Sequence, residues 1–220
     1  MKRITVFSGH YGSGKTNLAV NYAFMLEKEG YSVSIADLDI VNPYFRTKDS
    51  EKMFEEKGIE LISLPFANTS VDLPSLPSAA YGLFQRRDRK VIIDLGGDDR
   101  GALALGRFVP RILEENDYDM VFTVNFYRPL TTTVEEAFEV LREIEYAAKL
   151  KFTKIVNNSN LGEMTTVEDV TKTVGMAEKL AEMAGIPYAF TSVSERIFDG
   201  VAEKVGKESL FSLKLQDKPF

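Results

Sequence analysis

The sequence predicts a three-layer α/β/α domain built on a doubly wound, mostly parallel sheet of about seven strands. Three observations carry that prediction. Short Val- and Ile-rich runs alternate with amphipathic stretches along the whole chain. Several of those runs lack period-two polar alternation, as expected of parallel strands covered on both faces. Gly30, Gly58 and Gly185 each follow a helical stretch, where a C-terminal cap belongs.

In chain order, strands are expected at 3–8, 32–37, 60–64, 90–94, 120–125, 153–157 and 187–191. Helical patterns cover 17–29, 134–150 and 167–184, and Leu18, Tyr22, Met25 and Leu26 share one helical face by spacing. The three prolines between 65 and 77 mark an irregular connection. The tail from Leu210 to Phe220 alternates apolar and polar residues and reads as an edge strand that Pro219 ends. No repeat and no linker divides the 220 residues, so one domain spanning 1–220 is expected.

Composition narrows the chemistry. Hydrophobic residues at 44% and charged residues at 27% are those of a globular chain, and no apolar run approaches a bilayer span. With no cysteine there is no disulfide, thiol nucleophile or cysteine-held cluster in these residues, and the lone His10 excludes a multi-histidine metal site. The net charge of −6 disfavours nucleic acid as a bulk partner. The start, MKRITVFSGHYGSGK, turns glycine-rich too soon for a signal peptide, so a cytoplasmic protein is expected.

Directly after the first strand stands Gly9-His10-Tyr11-Gly12-Ser13-Gly14-Lys15-Thr16, followed by Asn17 and a helical pattern. This is GxxxxGK[ST] between a strand and a helix, the setting of a phosphate-binding loop. Backbone N–H groups and the positive end of the helix face the anion. Lys15 is expected to reach the β- and γ-phosphates, and the Thr16 hydroxyl to ligate Mg²⁺.

Two acidic loops follow strands that should end at the same sheet edge: Asp37-Leu38-Asp39-Ile40-Val41-Asn42-Pro43 and Asp94-Leu95-Gly96-Gly97-Asp98-Asp99. Asp94 suits the magnesium shell, and Gly97 completes a DxxG pattern whose N–H can meet the γ-phosphate and sense its loss. Asp39 is the candidate to orient or deprotonate the attacking water, with Asp37 nearer the metal, and the two roles are interchangeable on sequence alone. Residue 95 is Leu where motor-type ATPases carry a glutamate, and the guanine-reading NKxD pattern is absent. Adenine is therefore the expected base, with the Asn157 carboxamide a candidate to read its edge.

GHYGSGKT, DLDIVNP and DLGGDD together, supported by VFTVNFYRP and IVNNSN, resemble the MinD/ParA/Mrp-like family of P-loop ATPases over essentially the whole chain. The resemblance implies ATP/ADP and Mg²⁺ as cofactors, a nucleotide-dependent homodimer, Asp39 as the catalytic carboxylate and Asn157 as the adenine reader. Where many members carry a signature lysine early in the loop this chain has His10, and Tyr11 replaces a glycine. Arg46, Arg100 and Arg128 are the candidates to supply the missing charge.

Among the branches of that family, the absence of cysteine disfavours the iron–sulfur and arsenical types, and the tail lacks the basic amphipathic helix of a membrane anchor. The leading expectation is a Mg²⁺-dependent ATPase that switches conformation and acts on a client protein, in metal or cofactor maturation. The alternative is an ATP-dependent small-molecule ligase or kinase resembling dethiobiotin synthetase or the cobyrinate amidases, with loops 65–81 and 97–107 lining a second site.

Overall fold

The computed structural model describes residues 1–38, 51–63, 78–97, 101 and 105–215. In chain order the elements are β1 (Ile4–Ser8), α1 (Lys15–Lys28), β2 (Val33–Leu38), α2 (Glu51–Glu56), β3 (Glu60–Ser63), α3 (Ser78–Gln85), β4 (Lys90–Leu95) and α4 (Val109–Glu115). After them come β5 (Tyr118–Val124), α5 (Val134–Ala148), β6 (Lys154–Asn157), α6 (Val167–Ala184), β7 (Tyr188–Ser194), α7 (Phe198–Val205) and β8 (Leu210–Leu213).

Eight described strands form one sheet in the order β3-β2-β4-β1-β5-β6-β7-β8, and every pair is parallel. The eighth is the tail segment, at the edge as its alternation predicts. The predicted helices at 17–29, 134–150 and 167–184 are present as α1, α5 and α6.

Strand parity explains both the architecture and the runs without polar alternation. Ile4, Val6, Ala36, Leu38, Val91, Ile93 and Ile155 face one apolar layer, shared with Ile112 of α4, Leu141 and Ile144 of α5 and Leu180 of α6. Phe7, Val33, Ile35, Ile92 and Val156 face the other, against Leu18, Ala19 and Ala23 of α1 and Phe54 of α2. Both faces of a strand are thus buried, so neither set of alternate positions is a solvent-facing polar one.

The same parity fixes where polar residues at the strand ends must look. Asp37 follows Ala36, and Asp94 follows Ile93, so both carboxylates lie on the α1 side of the sheet. Asn157 follows Val156 and lies on the opposite, α6 side. The amino edge of the sheet is locked by Arg3, whose buried guanidinium grips Glu115 through two nitrogens, Nη2 to Oε2 at 2.6 Å. Arg3 also donates to the carbonyls of Leu83, Arg86 and Arg89 at 3.2–3.3 Å.

Candidate nucleotide-binding site

Residues 9–14 join β1 to α1 at the carboxyl edge of the sheet. The Ser13 N–H donates to the His10 carbonyl at 3.0 Å, which closes a turn, and Gly12 and Gly14 take positive φ of 75° and 80°. Gly9 answers to space instead: a Cβ there would overlap the Thr123 carbonyl oxygen and lie 3.0 Å from Ser13 Oγ. The loop is braced from β6 by Asn158, whose amide donates to the Ser13 carbonyl at 2.6 Å.

The loop delivers Lys15 and Thr16 as the first two residues of α1, at 3% and 5% exposure. No side chain caps this helix and no acid stands in its first turn. By contrast, α5 and α6 each carry a complete capping box, on Thr133 with Glu136 and on Thr166 with Asp169. The start of α1 therefore turns the positive end of its dipole toward a bound anion. Ser13 Oγ is buried with no hydrogen-bond partner among the described residues, a further donor for a phosphate oxygen. The loop thus fits a polyphosphate.

Asp37 and Asp94 are register partners on adjacent strands, and Asp94 also pairs with Phe7 of β1, immediately before the loop. Asp94 is fully buried and Asp37 nearly so, both on the face that α1 covers. Two carboxylates side by side favour a cation between them. With the Thr16 hydroxyl they make an all-oxygen donor set suited to Mg²⁺, which keeps water and phosphate oxygens alongside one or two carboxylates. Among the described residues no group of three His, Asp or Glu forms a metal site by itself.

Gly97 brings the second loop onto the first. A Cβ at Gly97 would overlap the Gly9 carbonyl oxygen, and would lie 2.9 Å from the Gly9 carbonyl carbon and 3.3 Å from His10 Cα. The DxxG backbone and the phosphate loop therefore touch directly. His10 is half-buried, and its pKa is lowered by burial and then by Lys15, against an opposite pull from Glu143. Tyr11 stands exposed at the loop's tip, and Asn17 is half-buried in the first turn of α1.

Asn157 is placed differently from the sequence reading. Its amide nitrogen donates to Thr173 Oγ1 at 3.0 Å and Thr191 Oγ1 at 3.2 Å, and its oxygen accepts from the Ser159 N–H and hydroxyl. Fully buried, it spends its hydrogen-bonding capacity on the protein, because parity turns it toward α6. Asn158, one residue on, is the side chain that reaches the phosphate loop. Counting parity forward from Val156 was the signal that distinguishes the two. Asp39, the catalytic candidate, and Arg46 and Arg100 lie outside the described residues, as do the 65–77 connection and most of the 97–107 loop.

A glycine-rich loop between a strand and an uncapped helix, with two buried carboxylates on neighbouring strand ends, gives the chain the fold and loop layout of the P-loop NTPases. Residues 1–93 match the family model described as "ParA: NUBPL iron-transfer P-loop NTPase", which agrees with the resemblance to the MinD/ParA/Mrp-like family over that first part of the chain. The fold is shared with solved structures of low identity. The signal recognition particle receptor FtsY from Elizabethkingia anophelis aligns at 18% identity and TM-score 0.61, covering 96% of this chain and 62% of that one. Chloroplast FtsY from Physcomitrella patens gives 18% and 0.61, with 99% and 62% covered. The 54 kDa signal recognition particle protein from Aeropyrum pernix, in complex with GDP, gives 15% and 0.53, with 86% and 41% covered. The chain spans about three fifths of the length of those FtsY chains. No curated protein matches it at a significant level.

Proposed function

We propose that this chain is a cytoplasmic, Mg²⁺-dependent ATPase that works as a nucleotide switch on a client protein, in metal or cofactor maturation. The observation that carries the reading is the backbone contact of Gly97 with Gly9 and His10. A loop sensing the γ-phosphate cannot move without disturbing the loop that holds the phosphates, so hydrolysis has a mechanical readout. The match to an iron-transfer family model supports the maturation role. The absence of cysteine supports action on a client over carriage of a cluster on this chain's own thiolates.

In this reading Lys15 and the N–H groups of residues 12 and 14–16 hold the phosphates, while Thr16, Asp37 and Asp94 hold Mg²⁺. The bound ion supplies neutralisation of the charge that builds on the phosphate oxygens. Asp39 orients or deprotonates the water, and Gly97 reports the γ-phosphate. Asn157 serves the base indirectly, by holding residues 158–160 against the phosphate loop. The lack of an NKxD pattern supports ATP over GTP. Exposed Tyr11, Leu130, Leu161 and Met164 sit on loops at the same sheet edge, and such an apolar rim supports association there with a second copy or a client.

The test is solution mass by light scattering, with ADP and then with a non-hydrolysable ATP analogue and Mg²⁺, alongside phosphate release from ATP and GTP. A monomer that doubles only with the ATP analogue, and an ATP-selective turnover, fit the switch. A mass indifferent to nucleotide, with turnover stimulated by a metabolite, would replace it with the ligase or kinase reading.

A further inference from the structure

The phosphate loop is short of positive charge for a triphosphate. Lys15 is the one cation in residues 9–16, and burial and that same lysine lower the pKa of His10. Yet the loop is not without a second cation, because one arrives from the turn after β5. The Arg128 Nε donates to the Gly12 carbonyl at 3.0 Å, and the arginine's Cδ and Nε would stand 3.4 Å from a Cβ on Gly12. The guanidinium thus lies against the first half of the loop.

Arg128 is fixed there by a network of hydrogen bonds around the turn after β5. Its N–H donates to the Asn125 carbonyl at 3.1 Å, and its own carbonyl accepts from the Thr131 N–H at 3.2 Å. The buried Thr131 hydroxyl closes the same turn onto the Asn125 carbonyl at 2.7 Å. Leu130 is held at φ 65°, a left-handed conformation that costs a leucine energy and persists only when its surroundings impose it. On either side of the turn, the Phe126 N–H donates to Ser159 Oγ at 2.9 Å and the Tyr127 hydroxyl to the Asp169 carbonyl at 2.9 Å. Among the described residues no carboxylate pairs with Arg128, and Nε is its one engaged nitrogen. Both terminal nitrogens of a half-buried, pre-positioned guanidinium remain for an anion.

We propose that Arg128 is the second phosphate-binding cation of this site, supplied in cis, and that it raises the preference for a nucleoside triphosphate over the diphosphate. The inference rests on the nucleotide-site reading above and names a specificity-determining residue within it. Charge supplied within the chain makes nucleotide affinity complete in one protomer, whether or not two protomers then associate. A fork of N–H donors on a fixed turn also suits phosphate oxygens better than a mobile ammonium.

The experiment titrates the full chain, Arg128→Ala and Arg128→Lys with fluorescent ATP and ADP in Mg²⁺, over a range of protein concentrations, with thermal unfolding of each variant as the folding control. Arg128→Ala is expected to weaken ATP binding about ten- to a hundredfold, the worth of a charge-assisted hydrogen bond, and ADP binding distinctly less. Arg128→Lys should fall between. Equal losses for ATP and ADP would assign Arg128 to bracing Gly12 alone and overturn the proposal, as would unchanged affinities in a folded variant. Rescue of Arg128→Ala by mixing with Lys15→Ala chains would place the arginine in trans and overturn the cis assignment. Failure of the unmodified chain to bind either nucleotide would instead remove the nucleotide-site reading itself.

Discussion

Gly97→Ala tests the coupling of the two loops at its narrowest point. The added Cβ overlaps the Gly9 carbonyl oxygen and stands 2.9 Å from the Gly9 carbonyl carbon, where carbon atoms settle at about 3.5 Å or more. From that carbon alone the loops must part by about 0.6 Å, and the atoms in conflict are backbone on both sides, so no rotamer change relieves it. Overpacking of this kind costs about 1–3 kcal/mol, and a displacement near 1 Å at a reacting centre costs about a hundredfold in rate. In a chain of 220 residues each kcal/mol lowers Tm by about 2–4 °C. The assay is thermal unfolding and Mg²⁺-dependent phosphate release, with Gly175→Ala as control, since a Cβ at Gly175 of α6 meets nothing within 4 Å. A Gly97→Ala chain as stable and as active as the unmodified protein would refute the argument that the loops move as one.

Four further outcomes follow from the same structure. Gly175→Ala itself should stabilise the protein by about 1 kcal/mol, because it removes a mid-helix glycine with no steric conflict; chemical denaturation measures it. Glu115→Ala should cost about 3–5 kcal/mol in the same measurement, since it strands the buried Arg3 guanidinium. Thr166→Ala should cost about 1 kcal/mol by removing the cap that accepts from the Asp169 N–H at 3.2 Å, with α6 its first element to loosen in hydrogen exchange. His10, its folded pKa lowered, contributes stability that is present above its unfolded value of about 6.5 and is lost as pH falls through the folded value. His10→Gln should therefore lose less stability than the unmodified chain between about pH 7.5 and about pH 5.

The fold was legible wherever an element is long and buried on both faces. The run Val91-Ile92-Ile93 reads as a strand because each residue finds an apolar layer, two on the α5 side and one on the α1 side. The pattern of α6 is visible because Val170, Ala177, Leu180 and Ala181 recur at helical spacing between polar residues. Short elements escaped: α2 has two adjacent apolar residues in six, Met53 and Phe54, and α7 spans only two turns, so its Phe198, Val201 and Val205 make too short a run to mark a helix. Strand β7 runs to Ser194, beyond its predicted end, since β8 pairs with its last four residues, and no local pattern announces a partner so distant in sequence.

The site divides along the same line. Gly12, Gly14, Lys15 and Thr16 carry their chemistry in the motif, and the structure seats them at the start of α1. The pairing of Asp37 with Asp94 depends on β2 and β4 being neighbours, which the motifs imply only once the sheet order is known. Asn157 and Asn158 are adjacent and chemically identical, and only the face each occupies separates a buried brace from a loop contact. Arg128 lies 116 positions from Gly12, a separation across which sequence alone cannot place one hydrogen bond.

Equilibrium binding of Mg²⁺–ATP to the full chain, compared directly with Lys15→Ala, tests the central claim most directly. The account predicts saturable, Mg²⁺-dependent binding of one nucleotide per chain, stronger for ATP than for GTP, and abolished in a folded Lys15→Ala variant. Binding that survives the loss of Lys15, or no binding by the unmodified chain, would contradict it.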